Sequence, residues 1–378
     1  MTSPSAPGLV WVVVVHHGDP GPTLHCLQAL ADDPSAARRT VVVVDNSGDF
    51  PRQRLPPEVA YRACPDNPGY GAGVHHGLDE LARRAQLAED PENAAPAVYL
   101  VLNHDLRILP GYLDAALAVI HTEGACAQPG RPAVGAAAGP IYLDQTPLEQ
   151  TAPDDTAPDG TALDHAASSP AASGDSAPGR LWYAGGHLRR LTGTVYQSRS
   201  PDDARRARDV GFLPGAALVL RPEAWHAVGG FDPSFFLYHE DVDLCQRLAR
   251  AGWRLRFEPQ LRAVHSLGRA TGSAEASPFY LEHLTATRLR PYPSRLYRAY
   301  LALLHSGWVA LRVLRFLLPG RAAGRRRARA LLRGHRRALG DVLRPYRPGA
   351  SAPLRSDSSR RPLAPRSPDE APSDSESP

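Results

Sequence analysis

The amino-acid sequence predicts an α/β protein with a mainly parallel central sheet, because short apolar runs alternate with helical patterns along its first half. The strand candidates are rich in β-branched residues, and the segments between them carry apolar residues at helical spacing. The predicted order is strand Leu9–Val15, helix Thr23–Ala31, strand Thr40–Val44, helix Val74–Leu87, strand Val98–Leu102 and helix Tyr112–Ile120. Ligand-binding groups are expected at the carboxyl ends of such strands.

Length and composition are those of a globular protein with a sizeable core. The chain has 378 residues, of which 43% are hydrophobic, enough for one large domain with appendages. All 43 basic residues are Arg, which suggests a GC-rich bacterial genome rather than a function. The four cysteines are scattered without paired spacing, so neither a disulfide framework nor a CxxC zinc site is indicated, and a cytoplasmic location fits best.

The chain divides into four parts by composition. Residues 144–179 and 349–378 are dominated by small, polar and Pro residues, which predicts a disordered insertion and a disordered tail. The α/β domain is therefore predicted over residues 1–282, interrupted by the insertion, and a basic helical region over 283–348. Strands at Ala216–Leu220 and Leu255–Phe257 are expected to complete the sheet.

The basic region alternates arginines with aliphatic residues, and Asp341 is its only acid. Such amphipathic helices lie on an anionic membrane surface or bind a polyanion, or they form a solvated face covering the domain, and the pattern leaves these readings open. The apolar stretch Ala299–Leu318 is interrupted by a histidine and two arginines, so no membrane span is predicted. The N-terminal apolar run lacks the features of a signal peptide.

Three acidic residues, Glu240, Asp241 and Asp243, follow an aromatic run and begin a predicted helix that ends at Gly252. A helix N-terminus favours the ionised carboxylate, so such an acid is ready to accept a proton at neutral pH. Acids at this position are also ordinary helix caps, and the motif alone does not separate the two readings.

Further polar residues follow the predicted strands. Asp45 comes directly after four valines, where a carboxylate projects into the crevice above the sheet and can bind a base or a ribose. The run from Asn67 to Gly73 includes Gly69, precedes a helix, and would let the backbone approach a phosphate closely, although glycine turns are often purely structural.

Two residues are candidate metal ligands. Asp105 follows the strand Val98–Leu102 and offers hard oxygen atoms for Mg²⁺ or Mn²⁺. His265 follows a later short strand and could add a nitrogen ligand, which Mn²⁺ accepts more readily than Mg²⁺. A lone histidine at such a position is more often structural.

Taken in order, the motifs resemble those of family 2 glycosyltransferases, and the closest subgroup is the bacterial rhamnosyltransferase-like enzymes. The resemblance rests on 41–47 (VVVVDNS), 67–77, 102–105 (LNHD) and 229–244, followed by His265. It covers about residues 9 to 270 without the insertion. It implies the GT-A fold and inverting transfer of a sugar, rhamnose among the candidates, from a nucleotide-diphosphate donor.

The resemblance also implies roles for individual residues. Asp241 would be the general base with Glu240 beside it, and Asp105 with His265 would bind the divalent cation, Mn²⁺ or Mg²⁺. The residues implied in nucleotide binding are His16, Asp45, Asn67, Gly69, Gly73 and Asn103. The sequence departs from the family pattern at His16 and His17, at Val74 and His75, and at Asn103, which replaces the first acid of the DxD-type motif.

The resemblance implies an acceptor that is a glycan or a polyprenyl-linked molecule in cell-envelope polysaccharide synthesis. The enzyme would be cytoplasmic and peripheral at the inner face of the membrane. The alternative is a non-catalytic protein of the same fold that binds a nucleotide sugar or a polyanion, which would have no need of Asp105, Asp241 and His265 together. Nucleic-acid binding is not expected, because no stacking-aromatic platform accompanies the arginines.

Overall fold

A computed structural model describes residues 8–87, 95–125, 131–144, 179–266, 277–318 and 324–346. The strands are β1 Leu9–His16, β2 Arg38–Asp45, β3 Ala60–Ala63, β4 Val98–Asn103, β5 Leu106–Ile108, β6 Val134–Ala138, β7 Ile141–Leu143, β8 Arg180–Tyr183, β9 Gly186–Arg189, β10 Thr194–Gln197, β11 Arg208–Asp209, β12 Ala217–Leu220, β13 Arg254–Phe257 and β14 Ala263–His265. The helices are α1 Pro20–Ala31, α2 Tyr70–Leu87, α3 Tyr112–Ala125, α4 Pro201–Ala204, α5 Pro222–Val228, α6 Glu240–Arg250, α7 Pro278–Thr287, α8 Arg295–Leu317 and α9 Gly324–Leu343.

The central sheet has eight strands in the order β11-β13-β6-β12-β4-β1-β2-β3. Strands β4, β1, β2 and β3 are parallel, whereas β12 runs antiparallel to both of its neighbours, β4 and β6. Every residue of β1 is buried, as expected for a parallel strand covered on both faces. The predicted mainly parallel α/β architecture is confirmed.

A second sheet, in the order β5-β14-β7-β8, brings two distant parts of the chain together. The antiparallel pairing of β14 with β5 sets His265 opposite Leu106. Asp105, the residue before β5, therefore lies beside the end of β14. This pairing joins the two candidate metal ligands, which are far apart in the sequence.

The helices α7, α8 and α9 form a layer that packs on the loop between α5 and α6 and on the β9–β10 hairpin. Backbone carbonyls at the tip of the hairpin accept hydrogen bonds from Tyr292, Tyr300 and His305. The predicted domain boundary at 282/283 falls inside α7. The predicted tail, and the predicted insertion except its two end residues, lie outside the described residues.

Helix α8 is, within the described ranges, the one helix long and apolar enough to cross a membrane. This criterion uses length and composition only, and the core helices of soluble proteins also meet it. The expectation that the chain has no membrane span therefore stays a prediction.

Candidate active site

The loop between α5 and α6, residues 229–239, presents Glu240 and Asp241 at the first turn of α6, and we call it the catalytic loop after these two candidate residues. The two residues before them, Tyr238 and His239, both have φ of 67°, in the left-handed region that non-glycine residues rarely adopt. Such backbone persists only where surrounding contacts hold it. The pair of left-handed residues turns the chain sharply into the helix, and Glu240 and Asp241 follow directly.

Asp241 is held by two backbone donors. Its Oδ2 accepts a hydrogen bond from Gly215 N at 3.1 Å, and its Oδ1 accepts one from Val242 N at 2.8 Å. Desolvation nevertheless raises the pKa of the Asp241 carboxyl above its usual range. A carboxylate with a raised pKa is a stronger base than an ordinary aspartate, and the two donors fix its orientation.

Glu240 is buried, and its Oε2 has no hydrogen-bond partner. Desolvation, and then the neighbouring Asp241 charge, raise the pKa of Glu240. Two adjacent carboxyl groups in a desolvated site do not ionise together easily, so one proton is retained by the pair. Asp243 is set apart from this pair, because its Oδ2 forms a buried ion pair with Arg247 at 2.6 Å.

Asp105 and His265 form the predicted pair at the other side of the site. His265 Nε2 lies 3.0 Å from Asp105 Oδ1. Two ligands about 2.1 Å from one octahedral ion and at right angles to each other are separated by about 3 Å, so this spacing fits adjacent positions around Mg²⁺ or Mn²⁺. Burial would raise the pKa of Asp105, but the charge and hydrogen bond of His265 outweigh it and keep the pKa below its usual range.

Tyr70, the first residue of α2, lies among all of these acids. Burial raises its pKa well above the usual range, and Glu240, Asp241 and Asp105 add to that shift. Its hydroxyl donates to Gly215 O at 2.6 Å, the residue whose N–H holds Asp241. The structure thus gathers the candidate metal pair and the candidate base around one aromatic ring.

Asp45 lies at the carboxyl end of β2, as predicted, but its carboxylate is occupied by protein donors. Its two oxygens accept five hydrogen bonds, from Ser47 N, Ser47 Oγ, Gly48 N, Phe50 N and Tyr61 Oη. Burial acts against ionisation, but these bonds lower the pKa of Asp45 below its usual range. A ligand would have to displace one of these donors, so the carboxylate primarily orders the loop after β2.

His16 is fully buried at the end of β1. Its Nδ1 lies 2.7 Å from Thr23 Oγ1, and burial, followed by the nearby His104, lowers its pKa to about 4. The ring is therefore neutral at physiological pH. His16 also forms a possible metal-binding group with Asp45 and Asp49, whose ligand atoms lie within 4.8 Å of one another. Because Asp45 is occupied by five donors, the Asp105–His265 pair is the better candidate for a cation.

The glycines of the predicted phosphate-binding run lie against protein atoms. Gly69 has φ of 93°, and a Cβ there would lie 2.4 Å from Phe236 O. Tyr70 N donates to that same carbonyl at 3.0 Å, and a Cβ on Gly73 would crowd the Asn46 side chain at 3.2 Å. Packing against the catalytic loop thus accounts for Gly69 and packing against Asn46 for Gly73, and their role in nucleotide binding stays a prediction.

The remaining two nucleotide-binding candidates are at the ends of elements. Asn67 has a left-handed φ of 43° in the turn before α2. Asn103 is the last residue of β4, and its N–H donates to Ala216 O at 2.8 Å. Asn103 lies two residues before Asp105, and Asn67 lies three residues before Tyr70.

Helix α7 contributes contacts to the catalytic loop that the sequence did not predict. His239 Nδ1 lies 3.0 Å from Thr287 Oγ1, and the Tyr238 ring packs against the Tyr280 ring at 5.1 Å. The Thr287 hydroxyl donates its own hydrogen to His283 O, so it accepts from His239. Burial, followed by Arg288, lowers the pKa of His239 to about 3, which keeps the ring neutral.

Arg290, just beyond α7, provides a further contact to the same loop. Arg290 Nη1 donates to Ser234 O at 2.5 Å, and its Nε pairs with Asp341 of α9 at 2.8 Å. The loop that carries the acids is therefore fixed from the helical layer at both ends. No local sequence signal indicates this, because these residues are ordinary helix and turn residues whose partners are distant in the chain.

Comparisons with known proteins agree with this chemistry. Residues 180–318 match the group described as glycosyl transferase family group 2. An N-acetylglucosaminyl-diphospho-decaprenol L-rhamnosyltransferase of Mycobacterium tuberculosis is 30% identical over 301 residues, 76% of this chain and 83% of the relative. A rhamnosyltransferase of Escherichia coli is 41% identical over 56 residues, 15% of this chain and 21% of the relative.

The fold also has a counterpart among solved structures. The crystal structure of GalNAc-T7 with UDP, GalNAc and Mn²⁺ matches 90% of this chain with a TM-score of 0.50 and 13% identity. The match covers 58% of that protein, so this chain spans little more than half of its length. At this level of identity the likeness shows the shared fold alone.

Proposed function

This chain belongs to the family 2 glycosyltransferases, and we propose that it inverts the anomeric centre of a sugar as it transfers that sugar to an acceptor hydroxyl. The observation that carries the proposal is the grouping of the Asp105–His265 pair with Glu240 and Asp241 around Tyr70. A protein that only bound a nucleotide sugar would gain nothing from a desolvated carboxylate with a raised pKa. Nothing in the structure favours that alternative.

Asp241 is the residue that moves the proton. As the acceptor oxygen attacks the anomeric carbon, the bond from that carbon to the diphosphate breaks and the acceptor proton passes to an oxygen of Asp241. A single displacement of this kind inverts the centre and needs no covalent enzyme intermediate. Gly215 N and Val242 N hold the carboxylate in place during the transfer.

Asp105 and His265 are the residues that would hold a divalent cation, Mn²⁺ or Mg²⁺. Their spacing and donor types fit such an ion, and the lowered pKa of Asp105 keeps its carboxyl group ionised, as a metal ligand must be. When bound, the cation would stabilise negative charge on the leaving diphosphate. This effect grows in the transition state, where that charge develops.

Glu240 supports Asp241 from the adjacent position. Since its pKa is raised by burial and by Asp241, Glu240 holds the shared proton and leaves Asp241 as the carboxylate that accepts from the substrate. Both acids are thus used, one as the base and one as a neutral neighbour.

The donor and acceptor are proposed from the relatives. The named activity of the mycobacterial relative supports a nucleotide-diphosphate rhamnose donor and a polyprenyl-diphosphate-linked glycan acceptor, as used in cell-envelope polysaccharide synthesis. An acceptor with a lipid chain places the reaction at the inner face of the cell membrane. The exposed arginines of α9 would favour that location through attraction to anionic headgroups.

Transfer to a polyprenyl-diphosphate N-acetylglucosamine acceptor in the presence of Mn²⁺ tests the proposal. We expect turnover with a nucleotide-diphosphate rhamnose in the parent protein, and a loss of about 10²-fold to 10⁴-fold in Asp241→Asn, because an amide keeps the shape but cannot accept the proton. Nucleotide affinity should be retained in Asp241→Asn. Asp202→Asn, at an exposed position of α4, is the matched control. Transfer at the parent rate by Asp241→Asn would remove this residue from the mechanism.

A further inference from the structure

Helix α8 presents an uncharged side to solvent. Between Arg295 and Arg315 its exposed positions are Leu296, Ala299, Tyr300, Leu303, Leu304, Gly307, Trp308, Ala310, Leu311 and Leu314. Leu296, Leu303 and Leu311 are 85%, 78% and 68% exposed. These positions recur every three or four residues, so they form one continuous stripe along the helix.

Two polar side chains between Arg295 and Arg315 point the other way, into the protein. Arg298 is 2% exposed, and its guanidinium donates to Asp341 O at 2.6 Å and to Arg344 O at 2.8 Å. His305 is buried and bonds to Thr192 O at 3.0 Å. Leu301, Ala302, Val309 and Phe316 are also buried on this side, so α8 carries apolar residues on both its buried and its exposed sides. A surface helix of a soluble protein normally exposes charged residues instead, and between Arg295 and Arg315 this helix does not.

The stripe is part of a wider surface. Leu191, at the tip of the β9–β10 hairpin, is 78% exposed, and Tyr300 donates to its carbonyl at 2.9 Å. Helix α9 adds three exposed leucines at positions 332, 339 and 343. We call Leu191, the exposed residues of α8 and these leucines the apolar face. Contiguous apolar surface of this kind marks an interaction site.

Arginines lie on two sides of the apolar face. On α9 the exposed arginines are at positions 325, 326, 329, 333, 336 and 337. On the far side, the guanidinium groups of Arg288 and Arg312 lie 5.3 and 4.8 Å from the Trp308 ring. An apolar centre with a cationic rim and ring side chains at its edge matches the boundary between acyl chains and anionic headgroups.

We propose that the apolar face lies in the plane of an anionic lipid bilayer, with α8 inserted at the boundary of headgroups and acyl chains. A second copy of this chain fits less well, because a twofold interface would bring the two arginine rims together. A spanning arrangement would break the contacts of Arg298 and His305 or carry them into hydrocarbon. The bilayer is the partner that suits both the apolar centre and the rim.

This inference rests on the proposed function for its biological role, because α8 inserted in the bilayer would fix the position of the active site relative to a lipid-linked acceptor. Helix α9 contacts α8 through the His335–Ser306 hydrogen bond at 2.9 Å, and it contacts α7 through Arg333 and Glu282 at 2.6 Å. Helix α7 in turn holds the catalytic loop. The distance from the bilayer to Asp241 is thereby set by packed helices rather than by a flexible linker.

Flotation of the full-length protein with vesicles tests the proposal. We expect binding to phosphatidylcholine vesicles containing phosphatidylglycerol, and a loss of binding on the order of tenfold or more for the variant Leu303→Ser, Leu311→Ser and Leu314→Ser. Leu87→Ser, at an equally exposed leucine of α2, should bind like the parent protein. Because apolar insertion contributes alongside charge, part of the binding should survive high salt.

A second measurement reports insertion directly. A tryptophan introduced by Leu303→Trp should be quenched by lipids brominated on their acyl chains, whereas one introduced by Leu87→Trp should not. Absence of quenching at position 303, or unchanged flotation of the triple variant, would overturn the proposal. Conversion of a dimer to a monomer by the triple variant without any change in flotation would assign the face to a second copy instead.

The proposed function is tested separately by transfer to a water-soluble acceptor analogue. The triple variant should retain the parent rate with that analogue and lose rate only when the acceptor is in vesicles. A parent protein that floats but transfers no sugar would contradict the proposed function and leave the lipid-binding face standing.

Discussion

Substitution of Thr287 tests whether α7 holds the catalytic loop in its active conformation. Tyr238 and His239 both have φ of 67°, and a non-glycine residue in that region costs about 1–3 kcal/mol. The His239–Thr287 hydrogen bond, at 3.0 Å, opposes relaxation of this turn. Thr287→Val keeps the side-chain shape but leaves the His239 N–H without its acceptor.

The size of the effect follows from that loss. An unpaired buried donor costs about 1–3 kcal/mol, which is similar to the strain energy of the turn that the hydrogen bond holds in place. At about 1.4 kcal/mol for each factor of ten, we expect kcat to fall by about 5-fold to 150-fold. The Michaelis constant for the donor should change little, because Thr287 is not among the candidate nucleotide-binding residues.

Steady-state kinetics with Thr287→Val and Thr287→Ser separates positioning from packing. The serine variant keeps the hydroxyl, so we expect it to retain most of the parent kcat. If the two variants lose activity equally, the methyl group and its packing matter rather than the hydrogen bond. If Thr287→Val turns over at the parent rate, the clamp from α7 is not needed for catalysis.

Three further results are expected. Asp105→Ala should abolish the Mn²⁺ dependence of nucleotide binding measured by calorimetry, and equal nucleotide affinity of the parent with and without Mn²⁺ would refute a metal role. The transfer rate should fall with decreasing pH already above the ordinary aspartate pKa of about 3.9, because the pKa of Asp241 is raised and only its ionised form accepts a proton. An acidic limb near pH 4 in the pH–rate profile would contradict this. Gly69→Ala should lower the free energy of unfolding, measured by denaturant titration, by more than Gly111→Ala does. Both glycines have positive φ, but of the two only Gly69 would bring a Cβ against a backbone oxygen, Phe236 O at 2.4 Å. Equal losses of stability would argue against this close approach.

The local patterns of the sequence predicted the sheet well. Runs such as Val41–Val44 are apolar without interruption because both faces of a parallel strand are covered, and this signal needs no knowledge of the partners. The extent of α6 was likewise visible from the three acids at its start and from Gly252 just after its end. The antiparallel direction of β12 had no comparable signal, since the pairing direction depends on the chain path outside the strand.

The candidate site was predictable in its members but not in its connections. Asp105 and His265 could be named from the ordered motifs, and the β5–β14 pairing explains why they meet. Asp45 shows the limit of such reasoning, because a carboxylate after a strand can serve a ligand or the loop that follows it. The residue type is the same in both cases, and only the five donors around Asp45 show that its carboxylate orders the loop.

The glycine run after Asn67 extends this argument from single residues to the assembly of the site. Gly69 allows the backbone at Phe236 to approach, and Tyr70 then donates to Phe236 O through its N–H and to Gly215 O through its hydroxyl. Since Gly215 N holds the Asp241 carboxylate, the run sets the position of the base from one side while α7 sets it from the other. The catalytic loop is therefore strained locally and held by two distant segments. We therefore expect substitutions in either segment to impair the chemical step more than they weaken nucleotide binding.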